Sequence, residues 1–258
     1  MIKKVVIAAA GQGTRMLHLT KDKPKHLICV LKRPFIFYLL DNIFKAGYKE
    51  IILIVGYKAE KFKESLKNYK LPTKNHKIRI INQFEILGEA EGKGKKGKYG
   101  TACPLMCVKN IIGKENFLMV AGGDFYLAKD LKKFNINDKY NYIAGFYHKN
   151  PEKFGVLLVD NKRFLKKIVE KPKEYLGNLI NISLYKFTPE VFNKLSKIKK
   201  SPRGEYEITD VVSLLAKDKK VKVKILKDFW MDFGNPADII NLSKFLKNGS
   251  DKNKPNKS

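Results

Sequence analysis

Short apolar runs rich in β-branched residues recur along the first half of the chain, at residues 5–10, 51–55, 78–81 and 117–121, each the length of a buried strand. Between the first two, Phe35, Leu39, Leu40, Ile43 and Phe44 fall at the spacing of one helix face, opened by Pro34 and stopped by Gly47. Further helices are predicted over 59–68 and 103–110. This alternation constrains the fold more than any other feature: apolar strands separated by helices must be covered on both faces, as in a wound, mostly parallel α/β sheet. Ligands in such sheets sit beyond the carboxyl ends of the strands, so the residues that follow each strand are the candidates for chemistry.

The second half changes rhythm. Strands are predicted close together at 142–146, 156–159, 164–169 and 182–187, which points to a small antiparallel insertion laid against the sheet. Helices return at 189–195, 208–216 and 236–246, with a strand at 221–226. No linker separates the halves, so one domain over 1–247 is expected, with a tail at 248–258 that lacks apolar anchors and frays.

At 258 residues and 44% hydrophobic content the chain can bury a real core. No run approaches the ~18 apolar residues of a membrane span, and Lys3 and Lys4 lead straight into a strand rather than a cleavable signal, so a soluble cytoplasmic protein is expected. Cys29, Cys103 and Cys107 are odd in number and read as reduced core thiols. The 53 Lys+Arg against 25 Asp+Glu give a formal charge of +28, but five of the basic residues are arginines and the lysines are spread through every segment. Specific nucleic-acid readers concentrate arginine on one face, so the excess reads as a solvated surface that favours phosphorylated ligands in a cleft.

The first strand runs into Ala8-Ala9-Ala10-Gly11-Gln12-Gly13-Thr14-Arg15-Met16. Small residues let backbone N–H groups approach a phosphate or base edge, and Arg15 adds a fork for phosphate oxygens. The loop alone reads equally as a tight strand-to-helix turn. It lacks the Gly-Lys-Ser/Thr ending of a Walker loop, and Met16 stands where the third glycine of a dinucleotide fingerprint belongs. Pro24 then stiffens a turn that presents Lys25 toward the same strand ends.

In order and spacing, Gly11 to Leu17, Thr20, Pro24-Lys25 and the helix after Pro34 resemble the N-terminal signature of the sugar-1-phosphate nucleotidylyltransferases, most closely the UTP–glucose-1-phosphate uridylyltransferases. The resemblance runs over about residues 3–246. Gln83 and Gly100-Thr101-Ala102 resemble the family's base-reading glutamine and Gly-Thr-Ala turn. Gly123-Asp124 resembles its Gly-Asp strand end, and Phe154-Gly155-Val156 its sugar-contacting glycine. Glu170-Lys171-Pro172 matches outright. Asn181 to Tyr185, Gly204 to Asp210 and Trp230-Met231-Asp232-Phe233-Gly234 resemble three further segments.

The resemblance implies a Rossmann-like wound mixed sheet of the nucleotide-diphospho-sugar transferase type, and transfer of a nucleotidyl group from a nucleoside triphosphate to a sugar 1-phosphate. It assigns Arg15, Lys25, Asp124, Lys171 and Asp232 to catalysis, and Ala10, Gly11, Gly13, Thr14, Gln83, Gly100 and Thr101 to the nucleotide. Gly155, Glu170, Lys171, Asn181 and Trp230 fall to the sugar phosphate, and Asp124 and Asp232 to Mg²⁺. The chemistry fits: two anions must be brought together, cations from separate loops can neutralise them, and paired carboxylates suit a hard divalent ion. The attacking phosphate is already ionised and needs no general base. UTP and glucose 1-phosphate are the expected substrates; thymidylyl or cytidylyl transfer, a phosphocholine acceptor and a catalytically idle binding protein are the alternatives. No specific nucleic-acid or membrane partner is expected, and a homo-oligomer is left open.

Taken singly, Asp124 and Asp232 could be turn or strand-end residues, and Trp230, the sole tryptophan, a packing anchor. The four histidines show no spacing suited to metal or catalysis. Three departures stand out. His18 replaces the family's proline, Ser183 replaces a glycine, and residues 85–99 form a longer connection rich in Gly and Lys, read either as a surface loop or as a lysine-bearing lid. With no second domain following, a minimal catalytic unit is expected.

Overall fold

The computed structural model describes residues 1–88 and 97–251. The first half is a sequence of β1 (Lys4–Ala9), β2 (Cys29–Val30), β3 (Arg33–Pro34), α1 (Phe35–Lys45), β4 (Glu50–Val55), α2 (Ala59–Leu66), β5 (Lys77–Asn82) and α3 (Gln83–Leu87). Next come α4 (Cys103–Met106), α5 (Lys109–Ile112), β6 (Phe117–Ala121), β7 (Asp124–Tyr126) and α6 (Ala128–Lys132). The second half adds β8 (Asn141–Tyr147), β9 (Gly155–Val159), β10 (Leu165–Glu170), β11 (Leu179–Phe187), α7 (Val191–Leu195), α8 (Ile208–Lys217), β12 (Val221–Leu226), β13 (Trp230–Asp232) and α9 (Ala237–Asp251).

The main sheet runs β10-β9-β11-β6-β1-β4-β5, with β8 pairing both β11 and β12. Strands β6, β1, β4 and β5 are parallel, as the apolar runs predict. Alternate residues feed two cores. Val5, Ile7, Ile51, Leu53, Leu118 and Val120 pack beneath α1 and α2, while Val6, Ile52, Ile54, Phe117 and Met119 pack beneath α4, α7 and α8. Helix α1 follows Pro34, and Gly47 takes φ +94° just past its end, a conformation that costs glycine least.

Two expectations are refined. The antiparallel strands of the second half are present, but they prolong the main sheet instead of lying on it. The bridge is the long strand β11, which pairs β6 through residues 184–187 and touches β9 at Ile180. Residues 103–110 form two short helices, because Val108 departs from helical geometry with φ −115°. Small antiparallel ribbons, β2–β3 and β7–β13, were not legible as strands. Most of the expected Gly/Lys loop lies outside the described residues; at its ends, 83–87 form α3 and the Lys98 N–H donates to the Leu87 carbonyl (3.1 Å). Of the expected tail, 252–258 also lie outside, and α9 continues to Asp251. Cys103 and Cys107 are buried as expected, but Cys29 is exposed, because in the β2–β3 ribbon it is its neighbour Val30 that faces inward. Among the described residues no helix is long and apolar enough to cross a membrane.

Where β11 changes partner from β9 to β6 it bulges, and Ser183 takes φ +53°. The Asn181 side chain holds the bulge: its Oδ1 accepts the Ser183 N–H (3.0 Å) and its Nδ2 donates to the Tyr185 hydroxyl (2.8 Å). A left-handed serine carries a steric cost that glycine avoids, which gives a physical reason for glycine at this position. Ser183→Gly should therefore raise stability by about 1 kcal/mol, the relief being larger than the added freedom of the unfolded chain. Urea unfolding measures this, and an unchanged or lower midpoint would show that the bulge is unstrained.

Candidate active site

A continuous cleft opens at the carboxyl ends of β1 and β6, with one chamber of about 440 Å³ and a second of about 840 Å³ that share Gly11, Arg15, Asn181, Ser183, Trp230 and Asp232. Gly13, Thr14, Lys25 and Asp124 complete the first chamber, and Ala10, Gln83, Gly100, Thr101, Gly155, Glu170 and Lys171 line the second. All the residues that the sequence singles out for the site thus meet in one place.

At its base is the β7–β13 ribbon. Its antiparallel register sets Asp232 directly opposite Asp124, a separation of about 4.5–5.5 Å between Cβ atoms for such a pair. The ribbon is anchored by the Phe233 N–H donating to the Gly123 carbonyl (2.8 Å) and by Phe233 stacking on Phe35 with centroids 4.2 Å apart. Asp124 is buried; its Oδ2 faces the Tyr126 hydroxyl and the Trp230 indole N–H, each at 3.1 Å. Burial, with Asp232 beside it, pushes the Asp124 carboxyl up to about 7, against the opposing pull of Lys25 and of the two hydrogen bonds.

Cations reach this pair across glycines. Arg15 lies over Gly234 and its Nη2 meets Asp232 Oδ2 at 3.0 Å. Lys25 runs past Gly13 and Gly123, and its Nζ donates to the Phe233 carbonyl (3.2 Å). A Cβ at Gly123 would sit 2.1 Å from that Nζ, so only glycine leaves the amine where it is. Gly13 takes φ +70° at the start of the helical turn that carries Arg15, and the Thr20 hydroxyl closes the turn near the Gly13 and Leu17 carbonyls.

In the larger chamber Gln83 opens α3, buried, with no partner for its Oε1 among the described residues. Gly100, at φ +130°, fits against the backbone of Tyr206, where a Cβ would come within 2.3 Å of its carbonyl oxygen. The Thr101 hydroxyl donates to Glu207 (3.1 Å) and accepts the Ile208 N–H at the start of α8 (2.9 Å). That side chain is engaged by the protein, so the turn offers a ligand its backbone. Asn181 is likewise engaged in the β11 bulge. Lys171 takes φ +43° beside Glu170, whose carboxyl is raised by loss of solvation, with Glu207 adding to the shift and Arg203 and Lys171 opposing it.

Several residues here escaped the sequence reading. Arg203 pairs with Glu207 (2.8 Å) and lines the chamber beside Lys171; the sequence signal for it is its position directly before the Gly204 to Asp210 segment. Asp238 accepts the Gly234 and Asn235 N–H groups (2.9 and 2.7 Å) and shapes the turn after Asp232. Tyr126, and Phe146 and His148 beside Trp230, carried no sequence signal, whereas Phe154, also beside Trp230, belongs to the Phe154-Gly155-Val156 segment. No cluster of three or more His, Cys, Asp or Glu suited to a metal occurs among the described residues. The opposed pair Asp124 and Asp232 still fits a divalent ion that takes its remaining oxygens from a ligand and water.

The whole is an α/β protein with a strand-end cleft that gathers cations and backbone turns around two opposed carboxylates. Residues 4–249 match the nucleotidyl transferase family, and the chain belongs to it. It is 34% identical over 244 residues to the bifunctional sugar-1-phosphate nucleotidylyltransferase/acetyltransferase of Sulfurisphaera tokodaii, a match covering 94% of this chain and 55% of that protein. A Methanocaldococcus jannaschii protein with the provisional name UTP–glucose-1-phosphate uridylyltransferase is 30% identical over 247 residues, covering 86% of this chain and 84% of that protein. A UDP-glucose pyrophosphorylase complexed with UDP-glucose shares the fold, with a TM-score of 0.81 at 23% identity, covering 96% of this chain and 100% of that one. The chain spans about half the length of the bifunctional relatives it matches.

Two variants test the geometry. Gly123→Ala should displace the Lys25 amine and depress turnover at least tenfold while the thermal midpoint moves little, since the clash is with a flexible side chain. Retained turnover would remove Lys25 from the chemistry. Asp124→Asn should raise the thermal midpoint of the ligand-free protein at pH 8 but not at pH 4. The folded carboxyl keeps its proton to about pH 7, whereas the unfolded one loses it near ~3.9, so the native state loses stability as pH rises across that window. A midpoint that falls at pH 8 would show that Asp124 is favourably ionised.

Proposed function

We propose that the chain transfers a nucleotidyl group from a nucleoside triphosphate, UTP first, to a sugar 1-phosphate, glucose 1-phosphate first, releasing pyrophosphate. The observation that carries this reading is the opposition of Asp124 and Asp232 with Arg15 and Lys25 held beside them. Family membership supports it, and so do the named activities of the relatives.

In the reaction an ionised oxygen of the sugar phosphate attacks the α-phosphorus in line, forming one P–O bond as the bond to pyrophosphate breaks; no proton changes hands. Arg15 and Lys25 neutralise the triphosphate, and their placement against glycines fixes them before substrate arrives. Lys171, with Arg203 nearby, draws the acceptor phosphate toward the same point. Asp124 and Asp232 would hold Mg²⁺, which supplies charge neutralisation at the α-phosphate. Trp230 and Tyr126 orient Asp124 through their hydrogen bonds. Gln83 presents a primary amide that can both donate to and accept from a uracil or thymine edge, an order that adenine and cytosine do not offer. Partial loss of water from the chamber strengthens each of these contacts.

Pyrophosphate release should require both a nucleoside triphosphate and a sugar 1-phosphate and should vanish with EDTA. UTP and dTTP should both serve and ATP poorly, because a methyl group shifts binding by only ~1–3 kcal/mol while unpaired polar groups cost more. Gln83→Ala should weaken UTP more than ATP. Hydrolysis of the triphosphate alone at the same rate would overturn the transfer reading, and a wild-type preference for ATP or GTP would overturn the role of Gln83.

A further inference from the structure

The wall of the larger chamber facing Trp230 contains a histidine that no role so far accounts for. His148 follows β8; its backbone N–H donates to the Asn178 carbonyl (2.9 Å), and its ring stands edge-on to Phe154 (centroids 4.9 Å apart) and to Trp230 (6.4 Å). Its Nδ1 lies 3.0 Å from the Asn150 backbone nitrogen. A backbone N–H can only donate, so Nδ1 is the bare nitrogen and the ring proton sits on Nε2. Nε2 has no partner among the described residues and is not one of the buried unpaired atoms, and the residue lines the cleft. The ring is thus fixed in position and tautomer with one N–H left for a ligand. Phe154 precedes Gly155, and Trp230 bonds Asp124; His148 thus lines the chamber beside Gly155 and Trp230, the residues that the family resemblance assigns to the acceptor.

We propose that His148 determines acceptor specificity, its Nε2–H donating to one hydroxyl of the sugar ring while Phe154 and Trp230 hold the imidazole in place. The assignment rests on the transferase reading above. It differs from a packing role because a donor discriminates between acceptors that carry and lack the hydroxyl, whereas an aromatic wall does not.

The test is a matrix of kcat/KM values. Wild type, His148→Phe and His148→Gln are each assayed with glucose 1-phosphate and its monodeoxy analogues at saturating UTP. One analogue should fall about tenfold below the parent in the wild type, the loss expected when a cleft donor is left unpaired. His148→Phe keeps a ring edge-on to Phe154 and Trp230 but removes the donor, so it should lose a similar factor on the parent and nothing further on that analogue. His148→Gln should recover part of the discrimination, and the KM for UTP should hold constant throughout. A uniform loss across all acceptors, or a loss that appears in the UTP KM, would overturn the assignment while leaving the transferase reading intact. Absence of turnover with every acceptor in the wild type would overturn both.

Discussion

The repulsion between Asp124 and Asp232 is the constraint around which the site is organised. Like charges directly opposed across a ribbon are unfavourable, and burial makes them more so. The register is imposed from outside the ribbon. Phe233, buried between Asp232 and the Gly234 turn, stacks on Phe35, and in the same apolar cluster, with Met16 and Leu242, Phe125 meets Phe229 and Phe245 edge-on. Each aromatic ring contributes about 1.5–3 kcal/mol by burial, so a few of them offset one unfavourable charge pair. The same cluster holds Met16, one residue beyond Arg15, so the packing that opposes the carboxylates also delivers the cation that answers them.

The cations obey the same logic of fixed placement. Gly13 and Gly123 form a track for the Lys25 side chain, and Gly234 a seat for Arg15. Asp238 in turn fixes the Gly234 turn through two backbone hydrogen bonds. A lysine with four rotatable bonds is a poor positioning device by itself, and the track supplies the order that its own stem lacks. The β11 bulge performs the complementary task on the sheet. By changing partner from β9 to β6 around Ser183 it parts those two strands beside the larger chamber, which Asn181 and Ser183 line.

The parallel strands and α1 were legible because their period and punctuation are local properties of the sequence. The site was legible as a set of segments in order: turns that require glycine leave a fixed mark, and Gly13, Gly100 and Gly123 each meet a neighbour that excludes a side chain. What stayed hidden depends on distant pairing. The continuity of the antiparallel strands with the main sheet follows from how far β11 extends, and the opposition of Asp124 to Asp232 follows from a register between strands of three residues each, too short to show a period. Arg203 was overlooked among many basic residues until its contact with Glu207 singled it out. The Thr101 hydroxyl reads in sequence as a ligand donor, yet α8 lacks a side-chain cap of its own at Glu207 and takes that hydroxyl at Ile208 instead.

That last substitution has a consequence for selectivity. Of the polar side chains that the family resemblance assigns to the substrates, Thr101, Asn181 and the Trp230 indole are already hydrogen-bonded within the protein. A polar group satisfied at home gains little by exchanging that bond for one to a ligand, whereas an unsatisfied one gains the full bond. Charged groups such as Lys171 attract any phosphate and so discriminate weakly between sugars or between bases. On the proposed reading, discrimination falls on uncharged groups with capacity to spare, the Gln83 amide for the base and the His148 Nε2–H for the acceptor, together with backbone groups at the Gly11 and Gly100 turns. Gln83 opens α3 and His148 follows β8, so on that reading recognition of the base and of the acceptor rests on separate elements around one chamber and can vary separately.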